Sequence, residues 1–349
     1  MQRAALDPAA YAAVRSFAAL LNAAGLEASV AALRPVGAAY ARTRFAEKRI
    51  RRASEYIAWA FPEWSQERVR ATAIDSFRYL FALAAELACA PRIGVVGDGR
   101  QLPPRVELGE TLGAIDLLLS GRPCVMIGAH CGNWEMLGAT VASIGVKVSV
   151  LYRPINQKPV DDWVRRTRAT RGLQLVDKFG ATEAMIDITN RGGSIGFTAD
   201  QNAGRKGVFV PFFDRFASSY KSIGLLAIER EMPIVCGQAR RLGGPDAATM
   251  TYRLEVTDVI YPEDWRDQPD RLFYVTARYR RAIELMIRKA PDQYLWLHGA
   301  WKTRAPHERR GEAMPGALID KCRALPWMTE DRLERLIERS HRDAAEAKG

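Results

Sequence analysis

The chain has 349 residues, 48% of them hydrophobic and 26% charged, ordinary globular proportions that exclude a disordered or low-complexity protein. Its formal charge of +11 points to an anionic partner, a condition met by nucleic acid, anionic lipid headgroups and acidic carrier proteins alike. The cysteines Cys89, Cys124, Cys131, Cys236 and Cys322 stand singly with no CxxC pair; neither a zinc site nor a disulfide framework is indicated, and a reducing, cytoplasmic-side environment is the simpler reading.

Taken in chain order, residues 1–92 read as a helical region, alanine-rich and without period-two alternation. Charges interrupt every apolar stretch before the roughly 18 residues that a transmembrane helix needs, and the first residues lack an apolar signal core. Membrane contact is therefore expected to be peripheral. Arg42, Arg44, Lys48, Arg49, Arg51 and Arg52 face a single acid, Glu47, a density that suits an anionic lipid surface or a solvated helix face. Between Ser65 and Ala90, Val69, Ala73, Phe77, Leu80, Phe81, Ala84, Leu87 and Ala88 share one helical face. That face fits packing on the main domain or shallow insertion at a bilayer interface.

From residue 120 short apolar runs alternate with amphipathic segments. The strands expected are Cys124 to Ala129, Val146 to Tyr152, Leu173 to Val176, Ser194 to Thr198, Val208 to Phe212, Pro233 to Ala239 and Tyr252 to Val259. Helices are expected at Trp134 to Ser143, Val160 to Arg171, Thr182 to Thr189, Ser222 to Arg230 and Arg271 to Lys289, with Tyr261 to Pro269 as a loop. This order predicts an α/β fold: a mixed, largely parallel sheet flanked by helices, with helical N- and C-terminal additions. A loop with Pro306 and Pro315 leads to a last helix N-capped by Thr329. The divisions expected are 1–92, 93–305 and 306–349.

The sharpest chemical feature is Gly128-Ala129-His130-Cys131-Gly132-Asn133-Trp134-Glu135, directly after a strand candidate, where α/β sheets build their sites. In one continuous helix His130 and Glu135 would lie about 140° apart. The pattern therefore places His130 in a turn and Glu135 in the first helical turn, where its carboxylate can orient one ring nitrogen and leave the other as a base. A buried histidine and a glutamate favoured by the helix dipole give the same pattern.

Other chemistries fit less well. HExxH, Walker A and GxGxxG motifs are absent, and the four histidines, at 130, 298, 307 and 341, are too few for a histidine-rich metal site. Gly192-Gly193-Ser194-Ile195-Gly196 matches a serine-hydrolase elbow formally, but a helix precedes it and a strand follows, the reverse of what the elbow needs. No nucleic-acid module is evident, and the aromatic residues are not interleaved with the basic clusters. His298, between Trp296 and Trp301, reads as structural.

With these residues in view, the segment 128–135 resembles the HxxxxE block of the lauroyl and myristoyl acyltransferases of lipid A biosynthesis, within the lysophospholipid acyltransferase-like superfamily. Tyr152-Arg153-Pro154 is similar to that family's YRP segment, 198–213 to its DQ-and-GVFVPFF block, and 291–298 with 301–304 to its closing block. The likeness spans roughly residues 60–305 and implies a glycerolipid-acyltransferase-like fold. It also implies an acyl donor on acyl carrier protein or CoA, no further cofactor, and a membrane glycolipid acceptor such as a lipid A precursor. The place implied is the cytoplasmic face of a bacterial inner membrane. By the same resemblance His130 is the general base and Glu135 its orienting partner, while Arg153 holds the thioester oxyanion or a phosphate. Asn133, Asp200, Gln201, Arg205, Lys206 and Gly207 fall on the substrate side.

Each residue also has a plainer reading: Arg153 as a surface ion pair, Arg205 and Lys206 as turn residues, Gly207 to Phe213 as core strand. Arg165, Arg166, Arg168 and Arg171 suit carrier or headgroup docking, or a solvated helix face. The sequence departs from the family at Cys131, at Ser218-Ser219-Tyr220-Lys221, in the C-terminal helix, and in lacking a counterpart to the amino-terminal anchor. These departures leave open another glycolipid acceptor, of phosphatidylinositol mannoside type, or a non-catalytic lipid-binding relative.

Overall fold

The structure, a computed structural model, describes residues 8–90, 102, 104–169, 172–177, 180–244 and 250–347. The expected division at 92/93 and Arg171 of the basic cluster lie outside the described residues.

Four helices come first: α1 (Pro8–Ala24), α2 (Leu26–Ala41), α3 (Glu47–Ala60) and α4 (Gln66–Ala88). Ser65 starts α4 by accepting a hydrogen bond from the Arg68 amide, one of the donors that a helix leaves unpaired at its beginning. Of the predicted face of α4, Val69, Ala73, Phe77 and Ala88 are buried, Leu80, Phe81 and Leu87 are half-buried, and Ala84 is exposed.

The α/β part follows as β1 (Val106–Leu108), α5 (Ala114–Leu119), β2 (Val125–Gly128), α6 (Trp134–Ser143), β3 (Val148–Tyr152), α7 (Lys158–Ala169), β4 (Gln174–Asp177), α8 (Ala181–Asn190) and β5 (Ser194–Thr198). Then come β6 (Val208–Pro211), β7 (Phe216–Ser219), α9 (Lys221–Glu229), β8 (Ile234–Arg241), β9 (Tyr252–Ile260), α10 (Pro262–Arg266) and α11 (Arg271–Lys289). The chain closes with α12 (Pro306–Arg310), α13 (Gly316–Arg323) and α14 (Glu330–Glu346), the last capped by Thr329 as expected.

Seven strands form one sheet in the order β1-β9-β8-β2-β5-β3-β4. Every pairing is parallel except β8 with β9. The fold is the α/β arrangement expected, with a largely parallel sheet and helical segments at both ends. The central strands β2, β5, β3 and β8 run the same way, so their carboxyl ends share one edge. After β2 the chain winds toward β3 and β4; after β5 it crosses to β8 on the other side. That reversal opens a crevice beside β2 and β5, the usual ligand position in such sheets.

Two local expectations are corrected. The strand expected at Val208 to Phe212 leaves the main sheet and pairs with β7 as a separate antiparallel hairpin. β7 has no strand signal in the sequence, because Ser218 and Ser219 look like loop residues although both are fully buried. The hairpin turns through Phe213 and Asp214 at φ 52° and 51°, left-handed values that suit a tight hairpin but are costly for phenylalanine. Tertiary contacts hold them there: the Phe213 amide donates to Glu284 at 3.0 Å, and Asp214 accepts from Arg332 of α14 at 2.9 Å. The loop expected over Tyr261 to Pro269 contains α10, whose start is bonded by Asp264 to the Tyr261 amide at 2.7 Å.

One apolar core joins α3 and α4 to the central strands, the β6–β7 hairpin, α11 and the C-terminal helices.

Candidate active site

His130 lies two residues beyond the end of β2, and Asp200 two beyond the end of β5. The register pairs Gly128 with Thr198, so these two residues leave adjacent parallel strands side by side. The His130 Nδ1 stands 2.8 Å from Asp200 Oδ1, and the His130 amide donates to the same oxygen at 3.3 Å. A carboxylate so placed accepts the Nδ1 proton and leaves Nε2 as the unprotonated nitrogen.

Asp200 is fully buried. Burial alone would raise its carboxyl; the charge and hydrogen bond of His130, with His298 and Arg280 beyond, outweigh that and hold it down at about 2. Arg280, itself fully buried, donates to the Ala199 carbonyl at 3.0 Å and lies 4.1 Å over the Phe212 ring.

The loop carrying His130 is clamped from three sides. The Leu295 amide donates to the His130 carbonyl at 2.9 Å. Gly132 adopts φ 62° and passes so close to β8 that a Cβ would overlap the Ala239 carbonyl, so glycine is required twice over. Beneath it the buried Arg241 of β8 donates to Glu86 of α4 at 2.6 Å and to the Gly132 carbonyl at 3.3 Å. Tyr252 donates to the same Glu86 at 2.8 Å.

Asn133 belongs to this scaffold and corrects the substrate-side reading. Its side chain accepts from the Met136 amide at 2.9 Å, capping α6, and donates to Glu86 at 2.8 Å. It is 2% exposed, which removes it from substrate contact.

Glu135 is also placed differently from the expected His130–Glu135 pair. Starting α6 turns its side chain toward α7, where Arg168 donates from Nε at 2.9 Å and also from Nη2. Burial would lower the Arg168 guanidinium; the Glu135 charge and hydrogen bond outweigh it and raise it. Glu135 therefore orients an arginine, and the carboxylate bonded to the histidine is Asp200.

A cleft of about 600 Å³ opens beside these groups, walled by His130, Trp134, Glu135, Arg153, Arg168 and Gln201 among others. Arg153, beyond the end of β3, is exposed and forms no ion pair among the described residues, against the surface-pair reading. Gln201 lies 3.3 Å from the His298 ring nitrogens. Arg205 and Lys206 are exposed in a short helical turn, Gly204–Lys206, and do not line the cleft. At Gly207 a Cβ would collide with Ser218 and the Ser219 carbonyl; its role is close packing of the hairpin. No three His, Cys, Asp or Glu side chains converge as a metal-ligand set among the described residues.

His298, read from the sequence as structural, stands beside His130 with ring centroids 4.3 Å apart. Burial and then the neighbouring His130 lower it to about 4, so near neutrality its ring is uncharged. The signal that could have found it was its scarcity: two of four histidines fall in the blocks that resemble the family's. Arg168 lies on one helix with Arg165 and Arg166, and Arg280 falls inside an amphipathic pattern, so spacing distinguishes neither.

A family model described as "Bacterial lipid A biosynthesis acyltransferase" matches residues 9–303. The chain is 27% identical over 191 residues to the lipid A biosynthesis palmitoleoyltransferase of Escherichia coli K12, covering 53% of this chain and 58% of that protein. To the lipid A biosynthesis lauroyltransferase of the same organism it is 25% identical over 267 residues, covering 75% and 81%. To the myristoyltransferase it is 25% identical over 268 residues, covering 74% and 76%. The alignment with the palmitoleoyltransferase spans less than two thirds of that relative's length.

Proposed function

The chain belongs to the bacterial lipid A biosynthesis acyltransferase family, and from that premise we propose that it transfers a fatty acyl group from a thioester to a hydroxyl of a lipid A-type membrane glycolipid. The observation that carries the reading is the His130–Asp200 pair, 2.8 Å apart at the wall of a cleft that also holds two arginines.

His130 Nε2 removes the acceptor hydroxyl proton as the oxygen attacks the thioester carbonyl. Asp200 fixes the tautomer and stabilises the imidazolium that forms. The new C–O bond leaves an oxyanion within reach of a cleft cation, and Arg153 is the one without a carboxylate partner among the described residues. Collapse of this intermediate breaks the C–S bond; the departing sulfur takes the proton from His130, so the enzyme returns to its starting state. Glu135 acts through Arg168, holding that guanidinium against the cleft, where it can bind a phosphate of donor or acceptor.

The donor is an acyl chain on acyl carrier protein or CoA, and the chemistry requires no other cofactor because a thioester is already activated. The enzyme works at the cytoplasmic face of the membrane. No helix among the described residues is long and apolar enough to cross a bilayer. Peripheral attachment to anionic lipid is supported by the exposed Arg42, Arg44, Lys48, Arg49, Arg51 and Arg52 beside Phe45, which is 69% exposed.

The test incubates protein, and a His130→Ala control, with acyl-carrier and acyl-CoA thioesters of several chain lengths and total membrane lipid, with mass-spectrometric detection of new acylated lipid. A product that falls about 10²- to 10⁴-fold in the control supports the reading and identifies donor and acceptor together. Lipid binding with no product from any donor would leave a non-catalytic lipid-binding relative instead.

A further inference from the structure

A second cavity lies behind the polar cleft. It is bordered by α1, α4 and α7 and open to the surface on one side, with Val14, Phe17, Leu21, Ala84, Leu87 and Trp163 in its walls, and holds about 210 Å³. An apolar cavity of about 150 Å³ already accepts a benzene-sized hydrocarbon, so a segment of alkyl chain fits here.

Three observations give the cavity a direction. Glu135 and Arg168 line both this cavity and the polar cleft, so the two volumes meet at that ion pair. At the outer end, Val14 and Phe17 belong to the cavity wall and are also 43% and 52% exposed. Leu20, one turn further along the same helix, is 68% exposed. An apolar stripe thus runs from the surface of α1 into the cavity. Charge is arranged to match: Arg15 lies 5.0 Å over the Trp163 ring, and Arg168 stands at the inner end. An apolar slot flanked by guanidinium groups is complementary to an anionic amphiphile.

We propose that this cavity takes one alkyl chain of the membrane-resident glycolipid acceptor, which slides in from the bilayer along α1 while its head reaches the polar cleft past Glu135 and Arg168. The inference rests on the lipid-acceptor reading above and adds where the acceptor is gripped and which face meets the membrane.

Bromine atoms on an acyl chain quench nearby tryptophan emission, and Trp163 lines the cavity. The full chain and a Trp163→Phe variant are compared on vesicles of dibromostearoyl-phosphatidylglycerol, and separately with dibromostearoyl-CoA in the absence of lipid. The proposal expects vesicles to quench the Trp163 contribution, dibromostearoyl-CoA to leave it, and Ala84→Phe, which fills the exposed mouth of the cavity, to restore it. Ala84→Phe is also expected to raise KM for the acylated acceptor about 10- to 200-fold, the range of lost hydrophobic pocket contacts, with kcat retained. Quenching by dibromostearoyl-CoA would assign the cavity to the donor and overturn the proposal. So would vesicle binding without Trp163 quenching, or quenching that Ala84→Phe does not relieve. A protein that shows the full quenching pattern but forms no acylated product would sink the transferase reading and leave the chain-binding cavity standing.

Discussion

Two carboxylates compete for the histidine, and the one nearer in sequence loses. Glu135 follows His130 by one helical start, whereas Asp200 is 70 residues away. Parallel strands β2 and β5, in register at Gly128 and Thr198, release His130 and Asp200 at matching positions. The first turn of α6 instead sends Glu135 to Arg168. Spacing along the chain specifies which helix face a residue occupies; strand register specifies what it meets across the sheet.

The largest expected effect breaks the comparison directly. Asp200→Asn keeps the size of the side chain but loses the charge that stabilises the imidazolium and presents its amide to Nδ1, favouring the wrong tautomer. A fall in kcat/KM of about 10²- to 10⁴-fold is expected, with little change in KM, measured by steady-state acyl transfer. Near-normal turnover in Asp200→Asn beside a collapse in Glu135→Gln would return the orienting role to Glu135.

The scaffold beneath the loop comes next. Glu86 and Arg241 are each about 2% exposed at the side chain. Removing one member of such a pair strands the other's charge and costs about 3–5 kcal/mol. Glu86→Ala is therefore expected to lower unfolding stability by that amount in urea titrations. Glu107, half-exposed and paired with Arg253, should lose no more than about 1 kcal/mol on the same change. Equal effects at the two sites would mean that the Glu86 network is hydrated in solution.

A smaller effect separates the two cleft pairs from each other. In double-mutant cycles on kcat/KM, His130 with Asp200 and Glu135 with Arg168 should each show coupling of about 0.5–3 kcal/mol. His130 with Glu135 should be additive within about 0.5 kcal/mol. Strong coupling across that last pair would show that the reacting complex rearranges to the pairing suggested by sequence spacing.

Much of this molecule was legible before its structure. The sheet strands from β2 onward and the helices at Trp134–Ser143 and Arg271–Lys289 follow from periodicity, because a sheet covered on both faces leaves short apolar runs between amphipathic helices; the three-residue edge strand β1 is too short to give such a signal. The β6–β7 hairpin was less so: its second strand buries two serines, and its left-handed turn is held by Glu284 and Arg332 from α11 and α14, contacts that no local pattern announces. In the site, His130 could be found because it follows directly on a strand. Its partnership with Asp200, the helix-capping role of Asn133 and the approach of His298 depend on register and on chain segments far apart in sequence.

The least disruptive measurement concerns that second imidazole. Burial, and then His130 at 4.3 Å, lower His298 to about 4 from an ordinary histidine value near 6.5. Because the folded value is depressed, the folded state resists protonation. The stability linked to His298 is whole above about pH 6.5 and is lost as pH falls through that point toward 4. Side-chain NMR of the imidazoles, with His298→Gln to assign the resonance, should show a ring still neutral at pH 5.5. His298→Gln keeps a hydrogen-bonding group beside Gln201 and should alter turnover less than Asp200→Asn, since the ring next to His130 carries no charge near neutrality. A midpoint near 6.5 would mean that the two rings do not share one desolvated wall. The contrast between a histidine bonded to a buried carboxylate and one kept neutral by burial and its neighbour would then lose its physical basis.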